Sequence, residues 1–400
     1  MRAGEAEHTL HLCERLTACG LDVRLLTTRT KGLKQDVPFT LLPVMRKWSW
    51  SEVPDLMRCV KTCAPDAALL TYIGWIYNHH PMITFSPTLV RAIRPGIPFV
   101  TQFLNPIGAP SPQPTLLTRA SRKLAAFWAG GRDVDYKFGT LLRDSSHVIV
   151  LSERHRATLT RRSPGITGKS LMIPPPPILR IHPDHNGAAR QKGRDRLGVT
   201  SDEILLAYFG FIYPGKGIET LLKAMQIVAR SSPQVRLILV GGIIALEFSD
   251  RPSYAEELRE LSQRLGIENR VSWVGEYGSD DDSASLYLRA ADICVLPFDH
   301  GINLNNSSVA AAVTHGLPVV TTRGPVVEEP FRHAENVFLC PPQSPEAMAG
   351  AIALLIDQPE LRQRLRAGAS QLAQEWFSWD NAIKRTLAAL ASPGESRTAR

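Results

Sequence analysis

Short apolar segments alternate with longer amphipathic segments along almost the whole chain. Most of the apolar segments are rich in Val, Ile and Leu without polar alternation, which is typical of parallel strands covered on both faces. Between them, Glu219–Arg230 places apolar residues at helical spacing, with Leu221, Leu222 and Met225 on one stripe. This alternation predicts doubly wound α/β sheets. The predicted strands are Asp22–Thr28, Ala67–Ile73, Pro98–Leu104, Ser146–Ser152, Lys169–Ile173, Ile204–Ile212, Val235–Gly241, Val271–Val274, Asp292–Phe298, Pro318–Thr322 and Val337–Leu339.

The run Pro174–Pro177 interrupts the pattern, because four prolines cannot sit in a central strand or a helix interior. The stretch that follows is polar and basic, and we interpret residues 174–200 as a junction. A chain of 400 residues is also too long for one compact domain. We therefore predict two domains, residues 1–175 and 176–378, and a disordered polar tail, residues 392–400.

Composition narrows the functional class only slightly. Hydrophobic residues make up 44% and charged residues 21%, as in an ordinary folded enzyme, and the net charge of +8 favours anionic partners without choosing among them. Six scattered cysteines and the lack of a 20-residue apolar run predict a cytoplasmic protein without disulfides or a membrane span. Arg119–Phe127 mixes basic and apolar residues. It could be a membrane-surface helix, although an ordinary helix with a solvated basic face is the favoured interpretation.

The most informative segment runs from a strand through a glycine-rich turn into a helix. Gly210 opens the turn, and Lys216 and Gly217 close it. Glycine allows close backbone approach, and a new helix offers free N–H groups beside the lysine charge, which suits a phosphate or diphosphate. The alternative is a plain strand–helix turn with a solvated lysine.

Two further loops follow predicted strands. The first carries polar side chains that could donate to sugar or phosphate oxygens, at Asn303, Asn305, Asn306, Ser307 and Ser308. The second contains Glu328 and Glu329, either of which could bind hydroxyls or begin a helix, and we select Glu329 as the candidate. Ligands of open α/β sheets bind at such strand ends. An N-cap in a hydrophilic loop would explain only one or two of these residues.

Polar residues also follow strands of the first half. His79 and His80 come after an apolar run, so either could face an acceptor or transfer a proton, although ordinary structural histidines are the favoured alternative. Gln102 and Asn105 follow another strand and are candidate acceptor contacts.

The order of these pieces resembles the donor half of retaining, nucleotide-sugar-dependent GT-B glycosyltransferases of family 4, over about residues 170–385. The first half matches more loosely. The motifs that carry the resemblance are Gly210 with Lys216-Gly217, Leu239–Gly242, Leu265–Ile267 with Val271–Gly275, Ala290–Asp292 with Leu296-Pro297, and His315–Thr321.

The resemblance implies two Rossmann-like domains facing across a cleft, an acceptor domain at residues 1–175 and a donor domain at 176–378. A last helix, residues 379–391, would cross back to the first domain. Lys216 would bind the donor diphosphate, and Gly301, Ile302 and Asn303 would offer donors to the same phosphates. The implied reaction is hexosyl transfer, with retention, to a glycan, a lipid-linked glycan or a small molecule. An anionic membrane face could be a peripheral contact of the protein. No metal or cofactor is implied beyond the nucleotide sugar as co-substrate.

Two departures from the family pattern leave a second interpretation open. Phe211 stands where the family usually has Arg, and Asn303 and Ala311 stand where it carries paired glutamates. The loop resembles a subgroup in which hydroxyl and amide groups replace that pair. The alternative is a glycosyltransferase-like binding or scaffold protein with weakened catalysis. A nucleic-acid-binding protein is suggested by charge alone and lacks a reader motif.

The start of the chain is also unusual. A helical pattern begins directly after Gly4, whereas relatives of this kind open with an apolar strand and a glycine-rich loop. A missing central strand would leave unpaired backbone groups and a slot in the core. We therefore expect that Met1 is not the natural start and that roughly ten to forty residues precede it. The alternative is that Asp22–Thr28 closes the gap in a rearranged sheet.

Overall fold

The computed structural model divides the chain into two compact units. The first unit comprises the chain up to Pro174 together with the chain from Asp380 onward, and the second unit is Pro175–Trp379. The structure describes residues 4–30, 36–107, 113–184, 186–243, 253–277 and 281–391. The predicted disordered tail at residues 392–400 lies outside these ranges.

The described residues form parallel strands and helices in alternation. The strands are β1 (Arg24–Thr28), β2 (Thr40–Met45), β3 (Ala68–Tyr72), β4 (Phe99–Phe103), β5 (His147–Val150), β6 (Ser170–Met172), β7 (Ile204–Phe209), β8 (Val235–Val240), β9 (Val271–Gly275), β10 (Ile293–Leu296), β11 (Val319–Thr322) and β12 (Phe338–Cys340). The helices are α1 (Gly4–Ala18), α2 (Val53–Cys63), α3 (Ser86–Ile93), α4 (Leu116–Trp128), α5 (Leu141–Asp144), α6 (Glu153–Arg162), α7 (Ala188–Leu197), α8 (Ile218–Ser231), α9 (Tyr254–Arg264), α10 (Ser283–Ala290), α11 (Ser307–Thr314), α12 (Pro345–Asp357), α13 (Pro359–Trp376) and α14 (Trp379–Ala391). Every strand predicted from the sequence is confirmed.

The second unit is built on one six-stranded parallel sheet. Its strand order is β12-β11-β10-β7-β8-β9, and every pairing is parallel. Strands β7, β8 and β10 are almost entirely buried, because helices cover both faces of the sheet. This is the doubly wound arrangement that the sequence predicts.

The first unit contains two separate sheets. Strands β1 and β2 form one parallel pair, and β3, β4, β5 and β6 form the other sheet in that order. The sequence pattern missed β2 because Pro43 lies inside it. Proline cannot donate to a strand ladder, but it is tolerated at a sheet edge. Among the described strands, β2 pairs with β1 alone. β1 does not pair with β3, so Asp22–Thr28 does not close the gap in the sheet as the alternative interpretation required.

The last helix belongs to the first unit. Ala382 and Ala389 of α14 are buried in one apolar cluster with Val100 of β4, Ile149 of β5 and Ile173. The small side chains let the helix approach the sheet closely. Within the second unit, the Trp379 indole N–H donates to the Pro177 carbonyl at 3.0 Å.

Residues 174–200 are more than a junction, which corrects the sequence interpretation. They include α7, which packs on α10 in the second unit. Arg190 and Arg194 of α7 hold the Asp292 carboxylate, with nitrogen–oxygen distances of 2.6 and 3.3 Å. Two basic residues of the stretch interpreted as a junction therefore anchor a helix.

Helix α4 has the solvated basic residues of the favoured interpretation, since Arg119 and Lys123 are exposed, but it also exposes apolar side chains. Its five large apolar side chains Leu116, Leu117, Leu124, Phe127 and Trp128 are all strongly exposed, and Phe127 and Trp128 are each 77% exposed. We call these five residues the α4 stripe.

Candidate functional site

The six-stranded sheet has one topological switch point, between β7 and β10. From β7 the chain continues outward through β8 and β9, and from β10 it continues in the opposite direction through β11 and β12. The loops that follow these two strands therefore diverge and leave a crevice beyond their carboxyl ends. Ligands of open α/β sheets bind in such crevices.

The loop after β7 is held in place by backbone contacts. The Gly210 N–H donates to the Val240 carbonyl, and the Tyr208 hydroxyl donates to the Phe211 carbonyl at 2.9 Å. Gly217 has a φ of +73°, and a Cβ at this position would collide with the carbonyl oxygen of Pro297. Glycine is therefore required where α8 begins beside the loop that follows β10.

Lys216 lies in the loop that joins β7 to α8. Its Nζ is 5.0 Å from the centre of the Tyr213 ring and 5.2 Å from that of Phe298, so aromatic faces position the ammonium group. Among the described residues, none forms an ion pair with it. Partial burial and the neighbouring Glu219 carboxylate raise the pKa of Asp299 above its usual value. The crevice thus combines a cation with a carboxylate that is harder to ionise.

The loop after β10 corrects one expectation. The backbone N–H groups of Gly301, Ile302 and Asn303 already donate to Phe298 O, Thr322 O and Asn306 Oδ1 respectively. They are therefore not available to phosphate, because the loop uses them to fold against β11. The Ile302 side chain is also buried. What this segment can still offer is the half-buried Asn303 side chain, whose Oδ1 accepts from the Asn305 N–H at 2.9 Å.

Helix α11 provides the remaining donors. Asn306 is its N-cap residue and Ser307 its first residue. Within the described part of the chain, no group accepts a hydrogen bond from the backbone N–H of Ser307 or Ser308, as is usual in the first turn of a helix. The Ser308 side chain is buried beside Gly210, where a Cβ would collide with its hydroxyl. The loop that follows β7 and the start of α11 therefore approach each other closely at Gly210 and Ser308.

The acid that reaches this site is Glu328, not the selected Glu329. Glu328 is buried, and its Oε2 accepts the Leu304 N–H at 2.7 Å, whereas Glu329 is exposed. The loop after β11 approaches the same place, because a Cβ on Gly301 would collide with the backbone of Gly324. The two acids are neighbours in a loop, and the sequence alone did not reveal which one faces inward.

The first-unit candidates are mostly engaged in local structure. Gln102 is 4% exposed, and its Nε2 lies 3.2 Å from Nε2 of His8 on α1, so it does not line a surface. Asn105 accepts the Ile107 N–H at 3.1 Å, as a turn residue does. His79 and His80 follow a short 3-10 helix, Gly74–Tyr77, and not a strand end as expected. His80 Nδ1 accepts the Met82 N–H at 3.1 Å, and burial lowers the pKa of His80.

Two searches of the described residues were negative. No group of three or more His, Cys, Asp or Glu side chains could hold a metal ion there. No described helix combines the length and apolarity needed to cross a membrane.

Comparison with known proteins gives a consistent result. Residues 189–372 match the family Glycosyl transferases group 1. The D-inositol 3-phosphate glycosyltransferase of Streptomyces griseus is 29% identical over 206 residues, which are 52% of this chain and 43% of that protein. The chain spans about half the length of the curated relatives it matches.

Solved structures match over nearly the whole chain. A glycosyltransferase from Rickettsia africae has a TM-score of 0.72 at 13% identity, covering 98% of this chain and 95% of that one. Anabaena HepE in complex with UDP and glucose has a TM-score of 0.69 at 17% identity, covering 97% and 96%. At these identities the likeness establishes the fold. Residues 189–372 therefore form a Glycosyl transferases group 1 domain, within a chain that has the GT-B fold of the glycosyltransferases.

Proposed function

We propose that this chain is a glycosyltransferase that transfers a hexosyl group from a nucleotide diphosphate sugar to an acceptor, with retention at the anomeric carbon. The second unit binds the donor, and the first unit presents a glycan, a lipid-linked glycan or a small molecule. The proposal places this chain in the subgroup of family 4 in which amide and hydroxyl groups replace the paired glutamates.

The observation that carries the proposal is the crevice at the switch point between β7 and β10. Lys216 supplies a positive charge there, and Ser307 and Ser308 supply backbone N–H groups at a helix start. A diphosphate needs both a charge and directed donors, and the two come from different loops that meet at Gly210. Lys216 would neutralise the leaving diphosphate, because electrostatic stabilisation of developing charge is usually the largest catalytic contribution.

UDP-glucose is the first donor to test. HepE, which shares the fold, was solved with UDP and glucose. The decisive experiment incubates the protein with UDP-, GDP- and ADP-sugars and follows release of free nucleotide diphosphate with mixed glycan and lipid-linked acceptors. Nucleotide release above that of a Lys216→Ala variant supports the proposal. Absence of any binding by calorimetry with all three donor classes would contradict it.

A catalytically weakened binding protein is the alternative function. Phe211 is partly exposed at the position where relatives place a cation, and Ala311 is fully buried inside α11. Binding of a nucleotide sugar without turnover, across all acceptors tried, would favour this alternative. Ala311→Glu is not a clean rescue experiment, because a carboxylate at a fully buried position would destabilise the helix.

We further propose that the α4 stripe rests on an anionic membrane surface. Its residues recur at positions i, i+1, i+8, i+11 and i+12, so they share one face of the helix. Arg119 and Lys123, both exposed, lie beside this face. An exposed apolar face bordered by basic residues is the composition of an interfacial helix. Each basic residue near an anionic surface contributes about 1 kcal/mol.

Vesicle co-sedimentation tests the membrane proposal. We expect binding to vesicles containing phosphatidylglycerol and weaker binding to neutral phosphatidylcholine vesicles, with both reduced by Phe127→Ser combined with Trp128→Ser. Val326→Ser, at an apolar position 72% exposed on the second unit, is the matched control. Equal binding of the double variant and the original protein would contradict the proposal.

A further inference from the structure

Arg122 of α4 carries a buried nitrogen, Nη1, that forms no hydrogen bond within the described part of the chain. The guanidinium lies over the ring of Tyr136, 5.1 Å from the ring centre. A guanidinium nitrogen that is buried without an acceptor is destabilising, so its presence in a folded unit requires an explanation. The buried Arg194 of the second unit, by contrast, has the carboxylate of Asp292 as its partner.

Arg122 lies on the inner side of α4, away from the α4 stripe. At about 100° per residue, Arg122 is about 180° from the centre of the stripe around the helix axis. Its neighbours on this side, Ala125 and Ala126, are half-buried, whereas Leu124 and Phe127 are strongly exposed. The helix therefore directs the guanidinium into the first unit and the stripe away from it.

The ring beneath this guanidinium belongs to a tight turn, residues 135–138. The Asp135 Oδ1 atom accepts two backbone N–H groups of the same turn, both at 2.7 Å. Gly139, which follows the turn, packs so closely on Thr84 that a Cβ on Gly139 would collide with it. The turn is therefore held in one conformation, as the frame of a binding site needs to be.

Two further cations reach the same turn. Lys137 Nζ and the Arg162 guanidinium lie 5.2 and 5.5 Å from the centre of the Phe138 ring. Arg162 Nη1 also donates to Asp135 Oδ2 at 3.3 Å. Burial, and next the charge of Arg162, lower the pKa of Lys137. Together with Arg122, three cations therefore surround a turn that carries one carboxylate, and we call these four side chains the turn cluster.

The turn cluster lies near the carboxyl ends of two strands and is open to solvent. Lys137 Nζ donates to the carbonyl of Pro106, which follows β4, at 3.1 Å. Arg122 is within electrostatic reach of Tyr72, the last residue of β3. Parallel sheets bind ligands at this end of their strands. The Arg162 side chain is 40% exposed, so a ligand can reach the cluster from outside.

We propose that the first unit binds a phosphate group at the turn cluster, with Arg122 Nη1 donating a hydrogen bond to it and Lys137 and Arg162 supplying further positive charge. Three cations against one carboxylate leave a net charge that matches a phosphate monoester, which carries about −1.5 to −2 at neutral pH. A carboxylate ligand would carry a smaller charge. Guanidinium groups are also well suited to phosphate oxygens.

This inference deepens the proposed function and rests on it for the role of the site. The first unit presents the acceptor, so the phosphate is that of a phosphorylated acceptor. Its source is either a water-soluble sugar phosphate or a lipid phosphate at the membrane surface proposed for the α4 stripe. Binding at the turn cluster requires neither donor nor turnover, so it can be tested separately from sugar transfer.

Calorimetry with two phosphorylated probes tests the inference. Glucose 6-phosphate represents a soluble acceptor and geranyl phosphate a lipid acceptor, and glucose and geraniol are the controls without phosphate. In Arg122→Gln we expect the affinity for the bound phosphate to fall by about tenfold or more, because one charge-assisted hydrogen bond is lost. Arg162→Gln should also weaken binding.

Two variants are the controls. Arg161→Gln removes the same charge from the exposed neighbour of Arg162 on α6 and should leave the affinity unchanged. Lys216→Ala should also leave it unchanged, because the donor crevice is in the second unit. Tighter binding of geranyl phosphate than of glucose 6-phosphate would support a lipid phosphate as the source, and the reverse order would support a soluble one.

Three results would overturn the inference. The first is that the original protein binds neither phosphate at millimolar concentration. The second is an equal loss of affinity in Arg161→Gln and Arg162→Gln, which would be an effect of net charge. The third is a loss in Lys216→Ala alone, which would place the phosphate in the donor crevice.

The test separates this inference from the proposed function. Phosphate binding that depends on Arg122, without nucleotide release from any donor, would contradict the proposed function and leave the phosphate site in place. Arg162 is exposed, so Arg162→Gln and Arg161→Gln keep the inference testable even if Arg122→Gln fails to fold.

Discussion

Lys216 is the residue on which the donor site depends most. Its ammonium group lies close to two aromatic rings, those of Tyr213 and Phe298. Replacing Lys216 with Ala should weaken nucleotide-sugar binding by about 1.5–3 kcal/mol, which is roughly a ten- to 150-fold loss in affinity, because one charge-assisted hydrogen bond is removed. The fold should survive, since the side chain is not part of the core. Isothermal calorimetry with UDP-glucose measures the change.

Lys223→Ala is the control for this prediction. Lys223 is an exposed lysine on the same helix, α8, so its replacement removes the same charge away from the crevice. If both variants lose affinity equally, the effect is one of net charge and Lys216 has no direct contact with the donor.

Buried histidines predict a loss of stability in mild acid. Burial lowers the pKa of His8, His155 and His315 to about 4, from 6.5. His315 is held neutral between Ser285 Oγ, 2.7 Å from its Nε2, and the Ala311 carbonyl, 2.7 Å from its Nδ1. Between pH 6.5 and 4 the unfolded chain binds a proton that the folded histidine does not, so stability falls as pH falls through this window.

At pH 5 each of these histidines should cost about 2 kcal/mol of stability relative to pH 7. His315→Gln should remove one of the three contributions and flatten the pH dependence of the unfolding free energy in urea for the second unit. His300→Gln, at an exposed position of that unit, is the control and should leave the slope unchanged. A slope for His315→Gln identical to that of the original protein would show that His315 is not buried neutral.

One carboxylate contributes to the attachment of helix α7 to the second unit, besides its packing on α10. Asp292 Oδ2 also accepts the Leu205 N–H at 2.8 Å, so Asp292 joins α7, β7 and β10. Asp292→Ala should destabilise the second unit by about 3 kcal/mol, because it leaves the Arg194 guanidinium buried without its carboxylate. Chemical denaturation measures this loss. Asp195→Ala, an exposed position on α7, should change stability by less than about 0.5 kcal/mol. Similar effects of the two substitutions would refute the anchoring role.

At the scale of elements, the sequence predicts what depends on period and composition. Buried parallel strands can be recognised in the sequence as apolar runs, so even the three-residue strand β12 was predicted. β2 was missed because its proline is acceptable only at an edge, and edge position is a property of the sheet. Helix α7 was missed because it has few apolar residues and therefore shows no clear helical pattern in the sequence. Its position depends on contacts with Asp292, which is distant in the sequence.

The candidate site follows the same division. Strand-end loops could be located from the sequence because parallel sheets gather them at one edge. The donors that remain available could not be predicted from the sequence. The Ile302 N–H, for example, donates to the carbonyl of Thr322, a residue 20 positions away. The choice of Glu328 over Glu329 likewise depends on the path of one loop, which brings Glu328 to the Leu304 N–H. The roles proposed for Lys216, Asn303 and Ser308 in donor binding stay predictions.

At the scale of the molecule, the first unit is made of two separated parts of the chain. Ending the chain after Trp379 removes all but the first residue of α14 and should expose Val100, Ile149 and Ile173 of the first unit. We expect faster amide exchange in β4 and β5 and unchanged exchange in β7 and β8, measured by mass spectrometry. A chain that ends after Ala391 keeps α14 and is the control. Equal exchange in both shortened chains would mean that α14 contributes nothing to the first unit.

The contact between Trp379 and Pro177 has a consequence for biosynthesis. It joins the beginning and the end of the second unit, which is inserted in the sequence between the two segments of the first unit. A ribosome finishes the second unit before it delivers Ala382 and Ala389, the residues that complete the core of the first. Domains usually mature in the order of synthesis, at about 5–20 residues per second. Here the order is reversed, because the unit whose synthesis begins first is completed last. Its apolar core can form fully only after α14 has been synthesised.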